Sequence, residues 1–282
     1  MIETINIHLW PKCNLSCVYC FGKFPARPPH LDGAGWKPIL LALANHGVKR
    51  ISFSGGEPTF HPDLLDLLRH TRALGLQTSV ITNGARLSDA MLGDLDLVGI
   101  TIDSTRPSVL KALGRGEAYL EAACDLARRT HAAGVRLKVN TVVCSLNVDE
   151  NLVPLILELR PVKWKPLQFT FVAGEHGEAA RSLAISGVAF DRFVDRNRAV
   201  ERAGVWLAPE RDTTIQKTYV MLDPMGRVFQ HGPHGHILSP PVTEVGLTRA
   251  LETVGGYDRW AFLDRGGDVD VRRLPVLQGG GA

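Results

Sequence analysis

Six short apolar runs alternate with five amphipathic, helix-like runs between residues 5 and 172, and this alternation limits the fold more than any other feature of the chain. Residues 5–10, 50–54, 77–82, 97–102, 135–143 and 162–172 read as strands. Residues 39–46, 62–74, 88–94, 117–133 and about 149–159 read as helices, three of them stopped by Gly47, Gly75 and Gly134. Strands spaced by one helix each pair in parallel, so the expected fold is α/β, a partial (β/α)6 barrel; an open doubly wound sheet is the alternative. Residues 23–38 (KFPARPPHLDGAGWKP) read as loop. After residue 173 the rhythm changes: a helix at 188–203, strand-like 219–223 and 227–230, and a helix at 243–254. We therefore expect a core over 1–173 and a C-terminal extension over 174–282. The extension closes one side of the barrel and contributes to the substrate pocket, and the two parts form a single structural unit. The tail at 279–282 is expected to be disordered.

Composition excludes several classes. The chain has 282 residues, 45% of them hydrophobic, enough for a large core. A net charge of +3 with 22% charged residues falls short of a nucleic-acid-binding profile, so no nucleic acid partner is expected. No apolar run approaches the ~18–20 residues of a membrane span, and no signal peptide or amphipathic N-terminal anchor is apparent, so the expectation is a cytoplasmic protein with no membrane partner. Of the five cysteines, Cys13, Cys17 and Cys20 crowd into one loop while Cys124 and Cys144 stand apart. An odd, clustered set is a poor disulfide framework and points to metal.

Cys13-Asn-Leu-Ser-Cys17-Val-Tyr-Cys20 has the spacing C-x3-C-x2-C. Three thiolates from one loop can wrap a [4Fe–4S] cube and leave its fourth iron to another ligand. Zinc is the alternative, with His8 as a conceivable fourth ligand, but zinc sites favour paired C-x2-C units, absent here. Ser54-Gly55-Gly56-Glu57-Pro58 follows at the end of the second strand, where glycines let a ligand approach the backbone. Together with Tyr19 before the last cysteine, the two motifs resemble the radical S-adenosylmethionine (SAM) enzymes. That resemblance implies SAM on the open iron corner, contacts to it from Tyr19, Ser54, Gly55, Gly56 and Glu57, and reductive cleavage to a 5′-deoxyadenosyl radical.

Strand parity adds a second site. Val135, Leu137, Val139, Thr141 and Val143 share one face of their strand, whereas Arg136, Lys138, Asn140 and Val142 share the other. With the apolar face under the helices, Lys138 and Asn140 point into the lumen. Lys163 and Lys165 repeat the pattern on the next strand. Three buried lysines without partners are costly, and a polyanionic substrate relieves that cost; the alternative is that they reach water at the strand ends.

The longer pattern is similar to the viperin-like nucleotide dehydratases. It runs through CNLSCVYCF (13–21), ISFSGGEPTF (51–60), TNG (82–84), Ile102-Asp103-Ser104, LGRG (113–116), LKVNTVV (137–143), NVDE (147–150) and VKWK (162–165). It continues through VAGE (172–175), APE (208–210), YVMLD (219–223) and FLDRGG (262–267). This resemblance implies a nucleoside triphosphate substrate, 4′-hydrogen abstraction, loss of the 3′ hydroxyl as water, and a 3′-deoxy-3′,4′-didehydro product (ddhCTP, ddhUTP or ddhGTP) that terminates viral polymerase chains. It implies Lys138, Asn140, Lys163 and Lys165 on the triphosphate, Ser104 and Arg115 at the carboxylate end of SAM, Tyr219 near the ribose as a catalytic residue, and a flavodoxin- or ferredoxin-like electron donor. The chain departs from the family in carrying Lys163 where viperin has arginine, in a weakly matching stretch at 211–218 that leaves the base open, and in lacking the animal proteins' membrane-binding helix. A radical SAM enzyme acting on another phosphorylated or nucleoside-like metabolite is the alternative.

Other residues read as structural. Cys124 sits on an apolar helix stripe and Cys144 ends a strand. His231, His234 and His236, in HGPHGH, read as a solvated loop, and Glu175 and His176 as loop residues. Arg265-Gly266-Gly267 either caps the pocket or turns the chain.

Overall fold

The computed structural model describes residues 2–22, 29–215, 217–232, 234–267 and 271–274. Residues 23–28 and the tail at 279–282 lie outside them. Six parallel strands form the core: β1 (Thr4–Trp10), β2 (Arg50–Gly55), β3 (Gln77–Ile81), β4 (Leu97–Thr101), β5 (Arg136–Val143) and β6 (Lys163–Gln168). They alternate with helices α1 (Gly33–Asn45), α2 (Leu64–Ala73), α3 (Asp89–Leu92), α4 (Pro107–Ala112), α5 (Tyr119–Ala132) and α6 (Val153–Leu159). The (β/α)6 expectation holds. Helix α1 starts inside the stretch read as loop, because Asp32 accepts a hydrogen bond from Gly35 N–H at 2.8 Å and so caps a helix that the surrounding prolines and glycines disguise. The proline-initiated α4 was also unforeseen.

The outer faces of the strands pack under the helices. Val135, Leu137, Val139 and Val143 join one apolar core with Ile39 and Leu43 of α1, Leu64 and Leu67 of α2, Leu126 of α5 and Ile156 of α6. This is the parity expected for β5, and it turns Lys138, Asn140 and Val142 toward the lumen. Register places Lys138 opposite Lys163 and Asn140 opposite Lys165.

The extension contributes α7 (Gly187–Asn197), β7 (Trp206–Leu207), β8 (Met221–Leu222), β9 (Arg227–Gly232), β10 (Gly235–Pro241), α8 (Val242–Thr253) and α9 (Arg259–Asp264). It lengthens the sheet at both edges: β7 joins β6 in parallel, β8 joins β1 in parallel, and β9 and β10 follow antiparallel. The strand order is β10-β9-β8-β1-β2-β3-β4-β5-β6-β7, so among the described residues backbone hydrogen bonds do not close the barrel. Side chains bridge the remaining seam. Lys165 of β6 and Glu210, itself bridged to Leu167 in the sheet, meet Tyr219, just before β8, and Arg265, just after α9. Above the seam, the turn after β6 meets the β9–β10 hairpin, with the Cβ position of Gly174 only 3.0 Å from the His234 carbonyl oxygen.

Candidate active site

A cavity of about 880 Å³ runs through the lumen. It reaches from the cysteine loop to Thr4, Arg50 and Leu97, the first residues of β1, β2 and β4. Its size is that of a small-molecule site. Cys13, Cys17 and Cys20 stand at one end, and Lys138, Asn140, Lys165, Glu210, Tyr219 and Arg265 also line its wall.

The cysteine loop is held by main-chain contacts. Ser16 N–H donates to the Gly114 carbonyl at 3.2 Å and Val18 N–H to that of Leu113 at 3.1 Å. Gly114 lies at φ +81°, and a Cβ there would sit 2.4 Å from the Ser16 carbonyl oxygen, so only glycine lets the two segments meet. Gly56 N–H donates to the Trp10 carbonyl at 2.6 Å and Glu57 N–H to that of Lys12 at 2.8 Å. A Cβ on Gly56 would overlap the Lys12 carbonyl at 2.2 Å. The glycine pair therefore docks against the chain entering the cysteine loop, as well as lining the cavity with Ser54.

Glu57 lines the cavity, but its side chain serves the fold. Its buried carboxylate is taken: Oε1 accepts from Thr59 N–H (3.0 Å), Thr59 Oγ1 (2.6 Å) and Thr82 Oγ1 (2.5 Å), and Oε2 from Asn83 N–H (2.7 Å). It ties GGEP to the Thr82-Asn83-Gly84 turn, which brings the Asn83 amide within 3.7 Å of Cys13 Sγ. Sequence alone does not single out Asn83, since a lone asparagine in a turn carries no distinguishing signal. Tyr19 donates to Asp103 at 2.5 Å, and Arg115 Nε contacts both, at 2.7 and 2.6 Å. Burial raises the Tyr19 pKa well above its usual value. Burial opposes the charge on Arg115, but Tyr19 and Asp103 outweigh it and hold the guanidinium firmly protonated. Arg115 lines the cavity. Ser104 does not: it is fully buried, donating to Glu150 at 2.5 Å and accepting from Arg106 N–H, so its hydroxyl caps a turn rather than facing a ligand.

Burial pushes the Cys13 and Cys17 thiols up, so their thiolates call for a cation. Cys13, Cys17 and Cys20 are free thiols in one loop, so the protein offers three thiolates there. Three suit the three irons of a cube whose fourth corner takes another ligand, whereas a structural zinc site takes four protein ligands.

At the seam, burial works against the Glu210 charge, but Lys165 and Arg265 outweigh it and hold its carboxyl below the usual range. Tyr219 donates to Glu210 at 2.6 Å and accepts from Lys165 at 3.1 Å and Arg265 at 3.2 Å; burial, then Glu210, raises its pKa well above the usual range. The structure corrects two expectations here. Lys165 has an internal counter-charge, Glu210, which sequence reasoning did not assign to the site. Lys163 has the right parity, but Trp206 and Gly266 cover it: Nζ donates to the Gly266 carbonyl at 2.6 Å and lies 3.7 Å from the Trp206 ring centroid, off the cavity wall.

Two further expectations change. His231 and His236 sit opposite one another on β9 and β10, not in a solvated loop. Glu175 has only 10% of its side chain exposed, and His176 is buried. Of the two readings of Arg265, the structure agrees with the one at the pocket, since the residue lines the cavity. Cys144 is buried in an apolar cluster, and Cys124 packs against the main core, as expected. Among the described residues no helix is long and apolar enough to cross a membrane.

Known proteins match this arrangement. Residues 7–157 match the model of the Radical SAM superfamily. An S-adenosylmethionine-dependent nucleotide dehydratase from Lacinutrix mariniflava is 34% identical over 94% of this chain, which spans 58% of that protein's length. One from Flammeovirga pacifica is 33% identical over 95% of both chains. Streptococcus suis SuiB, solved with SAM, shares the fold, with a TM-score of 0.66 at 16% identity over 81% of this chain and 60% of its own. The superfamily's cofactors are a [4Fe–4S] cluster and SAM, and an enzyme using them is what the thiol loop and the cavity beside it can house. The chain belongs to the radical SAM superfamily and, within it, to the S-adenosylmethionine-dependent nucleotide dehydratases.

Proposed function

We propose that this enzyme removes water from a nucleoside triphosphate to form its 3′-deoxy-3′,4′-didehydro analogue, a terminator of viral polymerase chains. The observation that carries the reading is one cavity lined both by the three thiols and by Lys138, Asn140, Lys165 and Arg265. The cluster, with SAM bound, supplies a radical that removes one hydrogen atom. Cys13, Cys17 and Cys20 hold the cluster, and Arg115, Ser54, Gly55 and Gly56 line the SAM side. Lys138, Asn140, Lys165 and Arg265 hold the phosphates. This fixes the ribose between the two ends and presents its C4′–H bond.

The balance is simple. Loss of H• from C4′, then of the 3′ oxygen as hydroxide with one added electron, leaves the C3′–C4′ double bond. One proton converts the hydroxide to water. The electron comes from a flavodoxin- or ferredoxin-like donor. Tyr219, un-ionised and hydrogen-bonded within the seam, holds a proton at its hydroxyl for this step.

The test is 5′-deoxyadenosine formation by the anaerobically reconstituted protein against CTP, UTP, GTP and ATP. At least one should stimulate it and yield a product lighter by one water. If none does while SAM is still cleaved, the substrate is a different phosphorylated or nucleoside-like metabolite.

A further inference from the structure

The carbonyl groups of the two residues that flank Cys20 are gripped in the same way by two residues far apart in sequence. His176 Nε2 lies 2.9 Å from the Tyr19 carbonyl oxygen, and His236 Nε2 lies 3.2 Å from that of Phe21. A carbonyl oxygen only accepts, so each ring carries a proton on Nε2. The second nitrogens agree. Val172 N–H donates to His176 Nδ1 at 3.0 Å, which requires a bare nitrogen there. His236 Nδ1 faces His231 Nδ1 at 3.3 Å, so His231 supplies the proton and His236 the lone pair. His236 Nε2 also lies 3.5 Å from Glu175 Oε1. Both rings are buried, His176 at 9% exposure and the His236 side chain at 5%.

The two histidines come from opposite sides of the seam, His176 from the turn after β6 and His236 from β10. Upstream in the loop, Ser16 and Val18 are anchored by their own N–H groups to the Gly114 and Leu113 carbonyls. Around Cys20 the anchoring passes to imidazoles. We propose that His176 and His236 are positioning residues for the iron–sulfur cluster: by clamping the carbonyls of Tyr19 and Phe21, the residues on either side of Cys20, they set where its thiolate stands relative to Cys13 and Cys17. Groups beyond the ligands orient them and tune the metal in this way. The inference rests on the three cysteines being the cluster ligands.

Paired substitutions separate the hydrogen bond from mere packing. In His176→Asn the shorter side chain keeps an acceptor for Val172 N–H but does not reach Tyr19; in His176→Gln the amide nitrogen does. His236→Asn and His236→Gln form the same pair for Phe21. The full-length chain is reconstituted without oxygen. Iron loss to a chelator, the midpoint potential, and the electron paramagnetic resonance spectrum of the reduced cluster with and without SAM are then measured. We expect the Asn variants to lose iron roughly 10–100-fold faster, with altered spectrum and potential, and the Gln variants to return toward the parent. Asn variants with parental iron retention, spectrum and potential overturn the proposal. So do Gln variants as impaired as Asn, since shape rather than the donated hydrogen bond would then matter. Cys20→Ala is the control for the underlying reading: if it still assembles a four-iron cluster, the ligand assignment fails, whatever the histidine variants do.

Discussion

At the cysteine end of the cavity, main-chain groups do the holding: N–H donors of Ser16 and Val18, close backbone approaches at Gly56 and Gly114, and carbonyls flanking Cys20. At the seam end, charged side chains do it: Lys165, Arg265 and Tyr219 converge on the carboxylate of Glu210. The first arrangement suits a permanent inorganic group whose ligands must not drift. The second suits a ligand that comes and goes, because a phosphate can take over the charge compensation that Glu210 supplies. It also puts charge across the barrel's open seam, since among the described residues no backbone pairing joins β7 to β10.

The sharpest way to break this comparison is to neutralise Glu210. Glu210→Gln leaves Lys165 and Arg265 facing each other in a buried site, and removing one partner of a buried pair costs about 3–5 kcal/mol. Urea denaturation should show that loss, and inorganic triphosphate at 100 times its dissociation constant should return about 2.7 kcal/mol. A variant as stable as the parent would mean that the seam is not held by charge.

The next effect is on substrate. Lys165→Ala removes one charge-assisted contact, worth roughly 1.5–3 kcal/mol, or about a 10–150-fold rise in KM for the triphosphate. The cluster's visible absorbance should not change, because Lys165 belongs to the other end of the cavity. Loss of iron in this variant would show that the two ends are one mechanical unit.

The two ends also differed in how far they could be read from sequence. Cys13, Cys17 and Cys20 lie within eight residues, and ligand spacing is a local signal. The lumen parity of Lys138 and Asn140 was legible because β5 is eight residues long, enough for alternation to show. The seam had no such pattern. Glu210, Tyr219 and Arg265 lie in separate segments, and β7 and β8 are two residues each, too short for any period. Only a resemblance drew attention to those segments, and it said nothing of Glu210 pairing with Lys165. HGPHGH misled because glycine and proline mark loops, whereas His231 and His236 fall opposite each other across a hairpin, a register that composition does not encode.

Acid should act first near the hairpin. Burial, then neighbouring histidines, lowers His231 from 6.5 to about 4 and His8 from 6.5 to about 3. Both rings stay neutral in the folded protein while the unfolded chain takes up protons below pH 6.5. Stability is therefore fully present above pH 6.5 and falls as pH drops toward about 4 for His231 and about 3 for His8. His231→Gln should flatten the upper part of that slope in urea titrations. Glu210 acts in a lower window: its depressed carboxyl stabilises above 4.5, and that contribution is lost as pH falls through its folded value. A slope between pH 6.5 and 4.5 that survives the loss of His231 would have to come from other groups, His8 first among them.

The smallest effect is expected at Lys163, and it tests where the seam ends. Its Nζ sits against the Gly266 carbonyl and the Trp206 ring, behind the cavity wall. Lys163→Arg puts a wider, planar group into a filled space, costing about 1 kcal/mol of stability through overpacking. KM for the triphosphate should stay within about twofold, because a residue behind the wall has no phosphate contact to lose or gain. If KM instead falls severalfold at unchanged stability, the guanidinium must be reaching phosphate. Trp206 and the chain at Gly266 would then have to move aside when substrate binds, and the seam would be a gate rather than a fixed wall.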